Sequence, residues 1–143
     1  MLLRLIAIAA LLALTTLAYR WWTTRQGVVK RVAMPGALTP AEIGGTLGMR
    51  ATFVQFSTPM CAKCPGTKAL LLEVAAEQPH VAHVEVDASE RLDLARELHI
   101  MRTPTTLVVD SDGVVVARMD GAMTRDQARE ALRAAPQAQD YTI

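Results

Sequence analysis

Segments with strand and helix patterns alternate along most of this chain, and this alternation restricts the fold more than any other feature of the sequence. Runs rich in β-forming residues begin at Ala51, Val81 and Thr103, with helical apolar spacing between them. A turn at 111–113 joins the last two strand patterns into a hairpin. The predicted order β-α-β-α-β-α-β-β-α is typical of an α/β sandwich with a mixed central sheet flanked by helices.

Small polar residues predict where three of the helices begin. Thr39 stands three residues before Glu42, and Thr124 stands three before Gln127, so both pairs match a capping box. Ser89 is expected to cap the charged helix that follows it, because serine is a preferred N-cap residue.

The composition fits one domain and excludes several functions. The chain has 143 residues, 51% of them hydrophobic, and a formal net charge of +1. Such a small net charge gives no basic stripe that could neutralise phosphates, so we expect no nucleic-acid partner. Two cysteines are too few for a secreted scaffold built on disulfides, so the core has to come from ordinary packing.

Residues 5–19 form an uncharged apolar run that fits a retained membrane anchor or a signal peptide. Tyr19, Trp21 and Trp22 follow the run and resemble the aromatic belt of a membrane interface. Thr16 is a weak residue for a cleavage site after Ala18. We therefore favour a single-pass anchor that is retained.

The charges beside this run predict its orientation. Four basic residues follow it, against one before it: Arg20, Arg25, Lys30 and Arg31, against Arg4. The positive-inside rule places the rest of the chain on the cytoplasmic side. An extracytoplasmic placement stays open.

The chain is predicted to divide into four parts. Residues 1–22 form the anchor or uncleaved signal, and 23–37 form a linker with a first edge strand. Residues 38–135 form the sandwich domain, and 136–143 form a flexible tail.

Both cysteines lie in one motif directly after the strand predicted at 51–56. A spacing of three brings Cys61 and Cys64 to one face of a helix, so they can close a disulfide. A structural thiol pair is one alternative. Another is a metal site, because His80 and His83 complete the pattern C-x2-C-x15-H-x2-H. We expect no metal, since residues three apart on a strand point to opposite faces.

Two further motifs follow the cysteine motif along the chain, and the three together resemble the thioredoxin family. Thr103 and Pro104 in "MRTPTT" resemble the segment of the family that carries a cis-proline, and Gly121-Ala122 resembles the turn before its last helix. The resemblance spans 28–134. It implies a thioredoxin-like sandwich and a thiol–disulfide oxidoreductase that reduces or exchanges protein disulfides. It implies no cofactor beyond the redox-active disulfide Cys61–Cys64.

The resemblance assigns a role to each cysteine. Cys61 is implied to attack the substrate, because a sulfur at the start of a helix faces free N–H groups and the positive end of the dipole. That position is expected to lower the pKa of the Cys61 thiol. Cys64, one turn inside the helix, is implied to resolve the mixed disulfide.

Other residues around the motif are implied to shape the site. Pro104 is implied to be cis and, with Thr103, to present backbone to a substrate. Met60 and Met101 flank the site and form either an apolar rim for substrate or part of the packing. Lys63 is expected to add positive potential, which favours the thiolate and makes the disulfide more oxidising.

Two positions depart from the family and are possible site modulators. Gln55 stands where the family often has an acid, and His83 stands where it often has a lysine. Glutamine cannot accept a proton, so deprotonation of Cys64 has to rely on water or another group.

The partners implied are protein thiols or disulfides, an electron-donating reductase or dithiol protein, and a membrane bound through the N-terminal helix. Two alternative functions stay open. One is a metal-binding chaperone that uses the same thiols. The other is an extracytoplasmic disulfide oxidant or a thiol reductant of cytochrome maturation.

Overall fold

The computed structural model describes residues 1–32 and 36–135. The helices are α1 (Leu2–Thr24), α2 (Pro40–Ile43), α3 (Cys64–Glu77), α4 (Leu92–Glu97) and α5 (Arg125–Leu132). The strands are β1 (Val29–Arg31), β2 (Ala51–Ser57), β3 (Val81–Asp87), β4 (Thr105–Asp110) and β5 (Val115–Asp120). After α1, this order is the predicted one. The predicted tail at 136–143 lies outside the described residues.

The five strands form one mixed sheet in the order β1-β5-β4-β2-β3. Strands β2 and β3 are parallel, whereas the β2–β4, β4–β5 and β5–β1 pairs are antiparallel. The crossover from β2 to β3 runs through α3, as a parallel pair requires. The predicted α/β sandwich with a mixed sheet is therefore confirmed.

Two hydrophobic clusters attach the helices to opposite faces of the sheet. Phe53 and Val108 pack with Leu71 of α3 and Leu132 of α5 on one face. On the other face, residues of β2 and β4 pack with α2 and α4, including Val54, Phe56, Leu94 and Leu107. Each large apolar side chain fully buried in this way contributes about 1.5–3 kcal/mol. The packing fixes the ends of β2 and α3, between which the cysteines lie.

One end of the sheet carries the cysteines, and we call it the CxxC end. There β2 finishes at Ser57, and the neighbouring pairs Phe56–Thr105 and Thr105–Asp120 bring the start of β4 and the finish of β5 alongside. The edge strand expected within 23–37 is β1, at one edge of the sheet. Because Val29 pairs with Met119, β1 begins at this same end.

The capping boxes at Thr39 and Thr124 are both present, so these two predictions are confirmed. The prediction for Ser89 was wrong. Helix α4 begins at Leu92 after Arg91, which makes no side-chain cap. The N–H of Ser89 instead donates to Oδ1 of Asp87 at 2.8 Å, a local turn bond that competes with helix formation.

Helix α1 is long and apolar enough to cross a membrane, judged by length and composition. A signal sequence near the N-terminus passes the same test. None of its residues is buried against the sandwich. The guanidinium of Arg25 lies 4.0 Å from the ring centroid of Trp21, at the C-terminal end of the helix.

Candidate redox-active site

Cys61 and Cys64 form a disulfide between the end of β2 and the start of α3. Their Cα atoms are 5.4 Å apart, within the range that disulfides span. Cys61 is half-buried, whereas the exposed fraction of Cys64 is 3%. An incoming thiol can therefore approach the Cys61 sulfur, while Cys64 is shielded by the fold.

The helix begins later than the sequence suggested. Cys64 is the first residue of α3 rather than one turn inside it, and Cys61 lies in the preceding turn, where its N–H donates to the Thr58 carbonyl at 3.0 Å. Pro65 explains the difference. It has no N–H to bond the Cys61 carbonyl, so it favours the first turn of a helix over its interior.

The segment around Pro104 lies against the loop that carries the cysteines. The Thr103–Pro104 peptide is cis, as predicted. The hydroxyls of Thr58 and Thr103 are 3.3 Å apart and share a hydrogen bond. The Gly121 N–H donates to the Pro104 carbonyl at 2.7 Å, and Gly121 has the positive φ of 92° that favours glycine. The three motifs of the sequence thus meet at the CxxC end.

The surface beside Thr103 is open and apolar. Within the described residues, neither the N–H nor the C=O of Thr103 has a hydrogen-bond partner. A groove of about 510 Å³ runs from Thr58 and Thr103 to Met101 and Leu92. The exposed fractions of Met60 and Met101 are 93% and 86%, so neither belongs to the packed core.

Gln55 and His83 form a buried network with Cys64. Gln55 is fully buried, and its Nε2 donates to the Cys64 carbonyl at 3.1 Å. Its Oε1 lies 3.0 Å from Nε2 of His83. Burial lowers the pKa of His83, and Lys68 also lowers it, while Glu85 opposes the shift. An uncharged amide therefore bonds the backbone of Cys64, and the imidazole beside it resists protonation.

A second polar chain on the same face of the sheet was not predicted. Ser57 donates to Oε1 of Glu85 at 2.7 Å, and Lys68 of α3 donates to Oε2 at 2.6 Å. The hydrogen bond from Lys68 lowers the pKa of Glu85. One signal was available: polar residues alternate at Gln55 and Ser57 in one strand and at His83 and Glu85 in the next, which indicates one polar stripe.

Lys63 is exposed, and its ammonium donates to Oε1 of Gln26 at 3.1 Å. The main-chain carbonyl of Gln26 accepts a hydrogen bond from Gln127 at 3.4 Å. The CxxC loop therefore contacts the segment between α1 and β1. Sequence reasoning could not find this contact, because Gln26 is brought to the site by β1, which begins three residues later and pairs with the distant strand β5.

Residues 1–32 and 36–135 contain no group of three or more His, Cys, Asp and Glu side chains placed to hold a metal ion. His80 is exposed in the turn before β3, with a φ of 64°. His83 bonds Gln55. The four residues of the alternative metal pattern, C-x2-C-x15-H-x2-H, are therefore not assembled into one site.

A family model described as a thioredoxin-like domain matches residues 46–136. The chain belongs to the thioredoxin-like family. A thioredoxin of Methanocaldococcus jannaschii is 35% identical over 79 residues, covering 54% of this chain and 87% of that protein.

Solved structures agree with this thioredoxin-like fold. A thioredoxin from Nicotiana alata superimposes with a TM-score of 0.54 at 24% identity, covering 62% of this chain and 76% of that one. A thioredoxin from Fasciola hepatica gives the same TM-score and identity, covering 62% of this chain and 84% of that one. These likenesses establish the fold of the domain. Membership of the family together with the Cys61–Cys64 pair supports thiol–disulfide oxidoreductase activity.

Proposed function

We propose that this chain is a membrane-anchored reductase of protein disulfides in which Cys61 attacks the substrate and Cys64 resolves the intermediate. The observation that supports this most directly is the unequal exposure of the pair. Cys61 is half-buried at the surface, while Cys64 is 3% exposed and lies behind it. A substrate sulfur can reach only the first of the two.

The reaction follows from that arrangement. In the reduced chain, the Cys61 thiolate attacks one sulfur of a substrate disulfide, and the other substrate sulfur leaves as a thiolate. The Cys64 thiolate then attacks the Cys61 sulfur of the mixed disulfide and releases the second substrate sulfur. Two electrons pass to the substrate, and the chain is left with the Cys61–Cys64 disulfide. A reductase or dithiol protein returns the electrons, and no bound cofactor is used.

Substrate is held by main chain and by an apolar rim. The N–H and C=O of Thr103 have no hydrogen-bond partner among residues 1–32 and 36–135, so they can pair with an extended substrate segment, as in other cases of strand addition. Met60 and Met101 are exposed beside the site and offer flexible apolar contacts to varied side chains. Pro104, which follows Thr103 through the cis peptide, is buried.

Cys64 lacks the acidic neighbour that the family often has, which could take the proton of its thiol. Gln55 occupies that position and donates to the Cys64 carbonyl, so it orients the backbone of the resolving cysteine without taking its proton. We assign the proton to water or to another group that reaches the site. Resolution is therefore the step in which this chain differs from relatives with an acid there.

The anchor in this proposal is α1. Its residues are exposed, its apolar run ends at the aromatic and basic residues Trp21, Trp22 and Arg25, and its charge asymmetry favours a domain facing the cytoplasm. Labelling of Cys61 and Cys64 in intact cells by a membrane-impermeant thiol reagent tests the orientation. Thiols protected from the reagent support it, and thiols labelled from outside after mild reduction indicate an extracytoplasmic enzyme.

Serine variants of the full chain in detergent test the reaction itself. Cys61→Ser is expected to abolish the reduction of insulin disulfides by dithiothreitol above the uncatalysed rate. Cys64→Ser is expected to accumulate a mixed disulfide with insulin that a non-reducing gel resolves. An active Cys61→Ser variant, or the absence of a trapped species with Cys64→Ser, would contradict the assigned roles.

A further inference from the structure

The anchor joins the sandwich at the CxxC end of the sheet. Helix α1 finishes at Thr24 and β1 begins at Val29, whose partner Met119 directly precedes Asp120 at that end of β5. The opposite end of β5 connects to the turn that contains Asp112. The chain could have entered the sheet at either end, and it enters where the disulfide lies.

Close contacts hold the junction against this end. The Gly27 N–H donates to the Asp120 carbonyl at 3.0 Å. Gly27 has a φ of 71°, and a Cβ there would lie 2.7 Å from the Ala122 carbonyl oxygen. Lys63 of the CxxC loop donates to the Gln26 side chain at 3.1 Å. A cavity of about 420 Å³ separates the last turn of α1, at Thr23 and Thr24, from this loop and the Ala122 turn.

The length of the junction limits how far the disulfide can move from the anchor. Five Cα steps separate Thr24 from Val29, so even a fully extended junction spans at most about 18 Å. Trp22, two residues before Thr24, lies about 3 Å further along the helix axis and marks the interface. The Asp112 turn lies farther away by the length of β5, about 20 Å.

We propose that the redox pair works at the surface of the bilayer and that its exchange partner is a cysteine pair at the same surface in an integral membrane protein. This rests on the proposed function, and it adds the class of partner. The exposed side chains of Met60 and Met101 offer flexible apolar contacts to the aromatic residues that are enriched at the ends of a membrane-spanning segment. A partner whose thiols stand far above the membrane meets the side of the domain that lacks the disulfide.

The exchange step balances without an outside reagent. One thiolate of the partner attacks the Cys61 sulfur of the disulfide, and Cys64 leaves as a thiolate. The second partner thiolate attacks the partner's own sulfur in the mixed disulfide, and Cys61 leaves. The partner becomes a disulfide, and two electrons and two protons reside on Cys61 and Cys64. The same steps run in reverse for a partner that accepts electrons.

Reconstituted full chain in phosphatidylcholine vesicles allows a direct test. The probes are two lipid-linked dithiol peptides of one sequence, one joined to its headgroup by a short spacer and the other by a rigid spacer of about 40 Å. The measured quantity is the rate at which each probe reduces the Cys61–Cys64 disulfide. We expect the short-spacer probe to react at least tenfold faster, because its effective concentration at the site is higher.

Two insertion variants supply the controls. Twenty Gly/Ser residues inserted between Arg25 and Gln26 free the domain from the surface and are expected to abolish the preference. The same insertion after Asp112, at the far turn, is expected to leave it unchanged. Equal rates for the two probes in the unmodified chain, or a preference that persists after the Arg25 insertion, would overturn the proposal.

The soluble form of the peptide separates this inference from the proposed function. If it reduces the disulfide at the same rate in all three proteins while the probes show no preference, the surface placement is wrong and the redox activity stands. If it fails to reduce the disulfide in any of them, the oxidoreductase proposal fails, and the inference fails with it.

Discussion

The side-chain oxygen of Gln55 lies 3.0 Å from Nε2 of His83, and the same glutamine donates to the carbonyl of the buried cysteine. Two residues of neighbouring strands thus join a titratable imidazole to the backbone of Cys64 through an amide that carries no charge. The side chain that bonds the Cys64 backbone is therefore a neutral amide and not an acid.

Replacement of Gln55 by aspartate is expected to speed the resolution of the mixed disulfide. A carboxylate at this position can take the proton of Cys64, and a general base of this kind typically contributes 10²–10⁴-fold. We expect roughly tenfold or more in the decay rate of a mixed disulfide near pH 7, followed by quenched-flow mass analysis. Gln55→Asn is the matched control, with the same size and no acid. Equal rates for the two variants would show that another base already serves.

His83 is expected to make the fold less stable at mildly acidic pH. Burial holds the pKa of folded His83 below the ordinary value of 6.5, so between those two values the unfolded chain binds more protons. The stabilisation is present above pH 6.5 and is lost as the pH falls through the lowered pKa of the folded state. Urea unfolding of the full chain in detergent at a series of pH values measures this.

His83→Gln should flatten the pH dependence in that window, because glutamine does not titrate. His80→Asn is the control, since His80 is exposed and asparagine tolerates its positive φ. A wild-type slope retained by His83→Gln would assign the pH dependence to a different group.

Loss of the positive charge of Lys63 is expected to make the disulfide slightly less oxidising. Exposed charges contribute less than about 1 kcal/mol, and about 30 mV corresponds to 1.4 kcal/mol, so the reduction potential should fall by less than about 20 mV. Equilibration of Lys63→Gln with glutathione buffers measures the change. Lys63→Arg keeps the charge and should match the wild type. A higher potential in Lys63→Gln would contradict the electrostatic role.

Serine at Met60 and Met101 is expected to weaken substrate binding and leave the turnover number near its wild-type value. Removal of about 1 kcal/mol of apolar contact corresponds to roughly fivefold in KM. Steady-state reduction of a protein disulfide measures both constants. Met49→Ser is the control, because Met49 is 77% exposed and precedes β2 at the opposite end of the sheet. A similar loss in the control would show that the effect is not local to the rim.

Local chemistry made part of this structure predictable. Thr39 and Thr124 cap their helices because a side-chain oxygen and a partner three residues later are enough to define a capping box. Ser89 also has a hydroxyl, but that hydroxyl donates to the carboxylate of Asp87 and caps no helix. Which hydrogen bond a short polar side chain makes depends on backbone geometry that the sequence does not specify.

Contacts between distant strands were harder to predict. Cys61 and Cys64 were found from their spacing after a strong strand pattern, and Pro104 was found from the resemblance to the thioredoxin family. The pairing of β1 with β5 and the contact between Gln26 and Lys63 were not found, because a three-residue strand carries too little pattern to choose its neighbour. The bonds from Lys68 and Ser57 to Glu85 depend on the register of β2 and β3.

The two outer strands of the sheet also bear on how copies of this protein meet one another. Strand β1 has only three residues, two of them Lys30 and Arg31, and strand β3 carries the exposed Glu85. Short and charged edges discourage strand pairing between copies. If α1 confines the domain to a membrane, neighbours collide within a thin layer at high lateral concentration. Such edges would then allow a crowded population to remain as separate molecules.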